Sequence, residues 1–157
     1  MKARHAILAL VAVATAVTLA SAAAAGPAPA KQRVQIDTKY PGDAFAVTAL
    51  EVGAIKGDTG KQRCDSEPTK TTVYRDGQET YPWSCGAWTF VGKRGTLVLR
   101  SQYVWIEAGG PYNVATGTWK VVRGTGQYAR VTGGGRSARV GTASIERVRY
   151  QGYLTSP

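Results

Sequence analysis

The sequence predicts an all-β protein: an antiparallel β-barrel of about eight strands behind a cleaved signal peptide. Three observations predict it. Beyond the first 25 residues no stretch shows a helical apolar period over three turns. Short runs of period-two alternation, rich in β-branched and aromatic residues, recur along the chain. Turn-forming Gly, Pro and Asp-Gly elements separate them every eight to twelve residues, the spacing of a sandwich or a barrel. Long strands joined by tight consecutive hairpins favour an up-and-down barrel, because closure leaves no exposed edge.

Residues 1–25 are expected to be removed. Lys2 and Arg4 form a positive start, Ala6 to Leu19 an apolar run, and Ala20-Ser21-Ala22 a small-x-small cleavage signal. Cleavage is expected after Ala22 or Ala25. A membrane anchor is the competing reading, but the apolar run is short and no charged stop-transfer cluster follows it. Residues 26–32, with Pro27 and Pro29, read as a flexible leader, and residues 33–157 as one barrel domain. His5 is the single histidine and lies in the removed segment. The mature chain therefore cannot use Ser-His-Asp triads, Cys-His dyads or His-ligated metals. No metal and no cofactor is expected.

The strands follow in order. Val34 to Thr38 is a short strand, ended by the Pro41-Gly42-Asp43 turn. Ala44 to Gly53 extends next, with Phe45 and Val47 on one face. Gly53 to Arg63 reads as loop. Thr69 to Arg75 is a β-branched strand before Asp76-Gly77, a hairpin signal. A strand entered at Cys85 runs to Val91, and Gly92 to Gly95 turns the chain. Thr96 to Glu107 is the longest strand, with Leu97, Leu99, Ser101, Tyr103 and Trp105 on its more apolar face. Val114 to Arg123 pairs back, with Ala115, Gly117, Trp119 and Val121 sharing a face. Arg136 to Ala143 and Ser144 to Leu154 are the last strands, and Val148, Tyr150, Gly152 and Leu154 look inward.

Between them lies a glycine-rich segment. Gly124 and Gly126 permit a corner, Tyr128 is placed to plug one end of the core, and Gly133 to Gly135 supply a second bend. Gly124-x-Gly126-x-x-Ala129 fits the dinucleotide fingerprint by letter. That fingerprint needs a helix of several turns behind its second glycine, which Gly133 to Gly135 stop.

Charge and cysteine bound the partners. The formal charge is +10, and Lys2 and Arg4 leave with the signal. Lys31 to Gly92 is balanced, whereas the chain from Lys93 onward carries ten Lys/Arg against Glu107 and Glu146 alone. Such a basic half attracts polyanions, an anionic surface polymer among them, unless it is simply a solvated surface. Export and the lack of any recognition motif disfavour nucleic acid. No membrane span is expected in the mature chain. Cys64 and Cys85 are the only cysteines, and an even pair in an oxidising compartment reads as a disulfide. Closing a loop of that length is worth about 3 kcal/mol on chain entropy.

The residues Gly117, Trp119, Val121, Val122, Gly124, Gly126, Tyr128, Ala129, Val131 and Gly133 to Gly135 form a pattern that resembles the glycine signature of the allene oxide cyclase and dirigent-like barrel superfamily. The likeness is nearest to its small secreted bacterial members. The Cys pair followed by Gly95-x-Leu97-x-Leu99 is similar as well, so the resemblance covers Cys64 to Leu154. It implies a calycin-like, eight-stranded antiparallel barrel with an apolar interior. Plant members of that superfamily are often trimers that steer a reactive apolar intermediate by cavity shape, so a homo-oligomer is among the expected partners. No catalytic motif outside the glycine segment carries over.

Three readings of function follow. In the first, a secreted, non-enzymatic barrel binds a small apolar ligand or acts at the cell exterior, with Tyr103, Trp105 and Tyr150 lining one cavity end. Against it stands the fact that eight-stranded barrels are commonly filled by such side chains. In the second, a cofactor-free isomerase or dirigent-type activity uses Glu107 at a strand end as general acid/base. A solvated charge is the alternative there. In the third, Arg136, Arg139, Arg147 and Arg149 on the last two strands make a cationic ridge for polyanions. Arg147 and Arg149, two apart, share a face.

Overall fold

A computed structural model describes residues 29–65, 87–108 and 110–157; within the 96–107 strand only the backbone of Trp105 and Glu107 is described. Eight strands form one closed antiparallel barrel, each paired with its neighbours in sequence and the last with the first. They are β1 (Ala30–Tyr40), β2 (Ala44–Ala49), β3 (Asp58–Cys64), β4 (Trp88–Gly92), β5 (Thr96–Glu107), β6 (Asn113–Gly124), β7 (Thr132–Gly141) and β8 (Glu146–Ser156). A single 3-10 turn, Gly126–Tyr128, lies between β6 and β7. No helix among the described residues is long and apolar enough to cross a membrane.

The inward faces are those the alternation predicts. Leu97, Leu99 and Ser101 of β5 are buried, as are Val148, Tyr150 and Leu154 of β8, and Ala115 and Trp119 of β6. Phe45 and Val47 of β2 join them. The β5 and β6 registers shift once, between Val98 and Leu99, so Val98 is also buried.

Three expectations require correction. The 53–63 segment is not all loop: β3 begins at Asp58 and pairs with β2 and β4. Its sequence, Asp58-Thr-Gly-Lys-Gln-Arg-Cys64, has almost no apolar residue, so no alternation marks it. Gly133 to Gly135 do not bend the chain but lie inside β7. Cross-strand neighbours require them there: a Cβ on Gly135 would stand 2.0 Å from the Gln151 carbonyl oxygen. β1 begins at Ala30, so the last part of the supposed leader is paired with β8 from the Ala30–Ser156 register onward. The strand and hairpin read at 69–85 lie outside the described residues. So does Cys85. Cys64 ends β3 opposite Trp88, and no cysteine among the described residues is a free thiol.

The barrel has two different ends. One is closed by Tyr128, which is fully buried and packs with Ile55, Val131 and Leu97. This is the plug expected from the sequence. Its hydroxyl donates to Asp58 Oδ2 at 3.2 Å. Asp58 also accepts from the backbone amides of Thr59, Lys93 and Arg94. Gln32 braces the same end, accepting from the Ile55 amide and donating to the Glu51 and Ile55 carbonyls. The other end is ringed by the ends of β1, β3, β5 and β7 and the starts of β2, β4, β6 and β8.

Candidate functional site

Register places the inward-facing residues in rings. One ring runs Tyr103, Gly117, Ser137, Tyr150, Ile36 and Val47 across six strands, from β5 through β8 to β2. The ring above it, towards the unplugged end, holds Ala115, Arg139, Val148, Thr38 and Phe45. Below, Ser101 and Trp119 lie opposite Gly135 and Gly152.

This stacking brings four hydroxyls together. The Tyr103 and Tyr150 phenolic oxygens are 3.0 Å apart and share a hydrogen bond. Ser101 and Ser137 lie close enough to influence the phenols. Both serines are at least nine-tenths buried, at 4% and 5% exposure. Both serine hydroxyls lie within hydrogen-bonding reach of the Tyr103 phenol, yet neither Oγ completes a well-aligned hydrogen bond among the described residues. A buried hydroxyl left unpaired costs about 1–3 kcal/mol, so two together at one spot are unusual. Gly117 lets β6 approach β5 closely at Tyr103: a Cβ there would stand 1.9 Å from the Gln102 carbonyl oxygen.

An aromatic chain crosses the interior from the Phe45 ring towards the plug. Phe45 meets Phe90, Phe90 meets Tyr150, and Tyr150 meets Trp119, each edge to face at 5.3 to 6.3 Å. Such T-shaped pairs hold Tyr150 rigidly. The Trp119 indole donates to the Arg136 and Gln151 carbonyls across the paired glycines 135 and 152. Towards the unplugged end, Tyr103 keeps exposed surface although it points inward, and Arg139 keeps 17% of its side chain exposed. Arg139 forms an ion pair with Glu146 of β8.

Burial sets the electrostatics. It raises the pKa of Tyr150 well above the ordinary tyrosine value, reinforced by Tyr103 beside it. It raises Tyr103 too, partly offset by the hydroxyls around it. It also pushes Tyr128 far up, and the neighbouring Asp58 carboxylate adds to the shift. Desolvation lowers the pKa of Arg139. At neutral pH both central phenols are therefore protonated donors rather than bases.

Stability should respond above pH ~10. The unfolded chain releases its tyrosine protons there, while Tyr103, Tyr128 and Tyr150 keep theirs in the folded state. The native state then binds more protons, so stability falls as pH rises, by about 1.4 kcal/mol per pH unit for each retained proton. Urea unfolding between about pH 9 and pH 11.5 measures this. A flat profile would show that the three phenols ionise normally.

The predicted site residues separate into groups. Tyr103 and Tyr150 come together; the Trp105 backbone pairs with Ala115, and its side chain lies outside the described residues. Glu107 falls opposite Asn113 at the unplugged rim, and its side chain lies outside the described residues. Of the four arginines, Arg136, Arg147 and Arg149 are exposed, whereas Arg139 turns inward, because an odd spacing separates it from Arg136. Arg149 is paired with Asp37 at 2.7 Å. Sequence reasoning did not single out Ser101, Ser137 or Asp58. The serines were legible only as small inward residues; what marks them is cross-strand proximity. Asp58 sits in a segment with no pattern. No family model, curated protein or solved structure matches the chain.

Proposed function

We propose that this is a secreted, non-enzymatic binding protein whose barrel receives a small, mainly apolar molecule carrying one oxygen function. The oxygen is held by the Tyr103, Tyr150, Ser101 and Ser137 hydroxyls, and the apolar body lies towards the unplugged end beside Val148 and Phe45. The carrying observation is the pair of buried serine hydroxyls that complete no well-aligned hydrogen bond, beside two linked phenols. Among the described residues the other buried side-chain donors and acceptors have partners, so an incompletely satisfied cluster facing inward is what a ligand's carbonyl or hydroxyl would complete. Phenols held protonated suit hydrogen-bond donation better than proton abstraction, which favours binding over isomerisation. The sequence resemblance to secreted members of the allene oxide cyclase and dirigent-like superfamily supports the same reading. Secretion, signal cleavage and the Cys64–Cys85 disulfide belong to the proposal.

Native mass spectrometry of the protein secreted from its own host tests it. The expected spectrum shows loss of the first 22 or 25 residues, a mass lower by two hydrogens, and an adduct that leaves on denaturation. The Ser101→Ala, Ser137→Ala double variant should lose the adduct. It should also be as stable as the parent or about 1–2 kcal/mol more stable, since it removes unpaired buried hydroxyls. A bare parent protein, or a double variant that is clearly destabilised, would mean the serines belong to a structural network.

A further inference from the structure

The outer face carries a second candidate site. Five consecutive strands, β2, β1, β8, β7 and β6, present two adjacent outward rows. One reads Ala44, Lys39, Arg147, Val140, Val114, each residue the register partner of the next. The other reads Ala46, Asp37, Arg149, Ala138. These nine residues, with Thr38, Phe45, Arg139 and Val148 at the register positions between them, border a concavity of about 650 Å³. With strands about 4.8 Å apart, it crosses roughly 19 Å of sheet. Its ends are alanines and valines, with Val140 49% exposed. Its centre is charged.

That centre is unbalanced. Asp37 is engaged by Arg149 and by the Gln35 amide. Lys39 and Arg147 are direct cross-strand partners, both exposed, and neither has an ion pair among the described residues. The four central side chains therefore sum to two positive charges. Like charges directly opposite each other on a sheet face are destabilising. No other acid among the described residues serves them: Glu146, the neighbour of Arg147 in sequence, faces the other way and is taken by Arg139. A sheet that sets two uncompensated cations between small apolar residues suits an anion with an apolar tail. The volume lies in the range of small-molecule sites.

We infer that the β2-β1-β8-β7-β6 groove binds a single-chain anionic amphiphile, its carboxylate or phosphate head between Lys39 and Arg147 and its alkyl chain over Ala138, Val140 and Val114. None of the four interior hydroxyls lines this groove, although Phe45 and Val148 border it from the inward positions. The variant Arg147→Glu gives it a distinctive signature. It converts a like-charge pair into an ion pair, so the free protein becomes more thermostable while the anion seat disappears.

The test is a titration of the ¹⁵N-labelled protein with decanoate, with decanol as the uncharged control, followed by amide chemical shifts. Decanoate should move the amides of Ala46, Ala138 and Val140 saturably, with decanol at least tenfold weaker. Arg147→Glu should raise Tm and weaken decanoate at least tenfold at these amides. Shifts confined to Ser101 and Ser137, or no shifts at all, would overturn the assignment. So would equal binding of decanol, or undiminished binding in the variant. Groove amides that move with protein concentration alone would instead assign this face to a second copy of the chain.

Discussion

Gly152→Val is expected to destabilise the barrel by about 4 kcal/mol or more, enough to abolish folding in a domain of this size. Gly152 pairs with Gly135 of β7 and with Val34 of β1. A Cβ at position 152 would stand 2.2 Å from the Gly134 carbonyl oxygen and 2.7 Å from the Gly135 Cα. Both obstacles are backbone, so no side chain can swing away to relieve them. Parting β7 from β8 would break their ladder and withdraw the Arg136 and Gln151 carbonyls from the Trp119 indole. Trp119 in turn packs on Tyr150, so the damage reaches the hydroxyl cluster. Urea denaturation followed by tryptophan fluorescence measures the loss. A midpoint within the error of the parent would mean that the two strands can separate without cost, and the account of the glycine pair would fail.

Asp58→Ala should cost about 3 kcal/mol, since it removes a charged acceptor and strands several neutral donors at once. The carboxylate is 5% exposed and gathers the Thr59, Lys93 and Arg94 amides and the Tyr128 hydroxyl. Alanine removes the acceptor and leaves these donors facing a gap, which is worse than never having had the network. Asp58→Asn keeps one acceptor oxygen and should cost clearly less. Tyr128→Phe removes only one donor, at about 1–2 kcal/mol. The ordering of the three variants in urea midpoint is the check. If Asp58→Ala proved no worse than Tyr128→Phe, the carboxylate would not be what secures the plug. Because this end of the barrel is remote from Lys39 and Arg147, decanoate binding by the folded fraction should be unchanged.

Much of the fold is legible in the chain because burial on one face of a strand writes a period of two. β5 is the clearest case, predicted and observed over the same residues, Thr96 to Glu107, with Leu97, Leu99 and Ser101 inward. β8 is similar, since Val148, Tyr150 and Leu154 alternate with Arg147, Arg149 and Gln151. β3 is the converse. Its inward positions are Asp58, Gly60 and Gln62, chosen for hydrogen bonding and close approach, and polar strands leave no apolar trace. The glycine run misleads for a related reason. Glycine signals both a bend and a crowded strand, and local sequence cannot say which. Only the approach of β8 at Gly133 and Gly135 and of β6 at Gly134 shows why β7 carries three glycines.

The amino-acid sequence by itself determined the all-β class, the barrel closure, the inward faces of the long strands and Tyr128 as the plug. These follow from periodicity and turn chemistry, which act over a few residues. Tertiary structure alone decided which side chains meet. Tyr103 and Tyr150 are 47 residues apart in sequence and 3.0 Å apart in space. Arg139 left the cationic ridge for the interior, and Lys39 came to stand opposite Arg147 across a strand pair more than a hundred residues apart. Register between distant strands sets all three, because a shift of one residue in any strand would turn each of these side chains to the opposite face of the sheet.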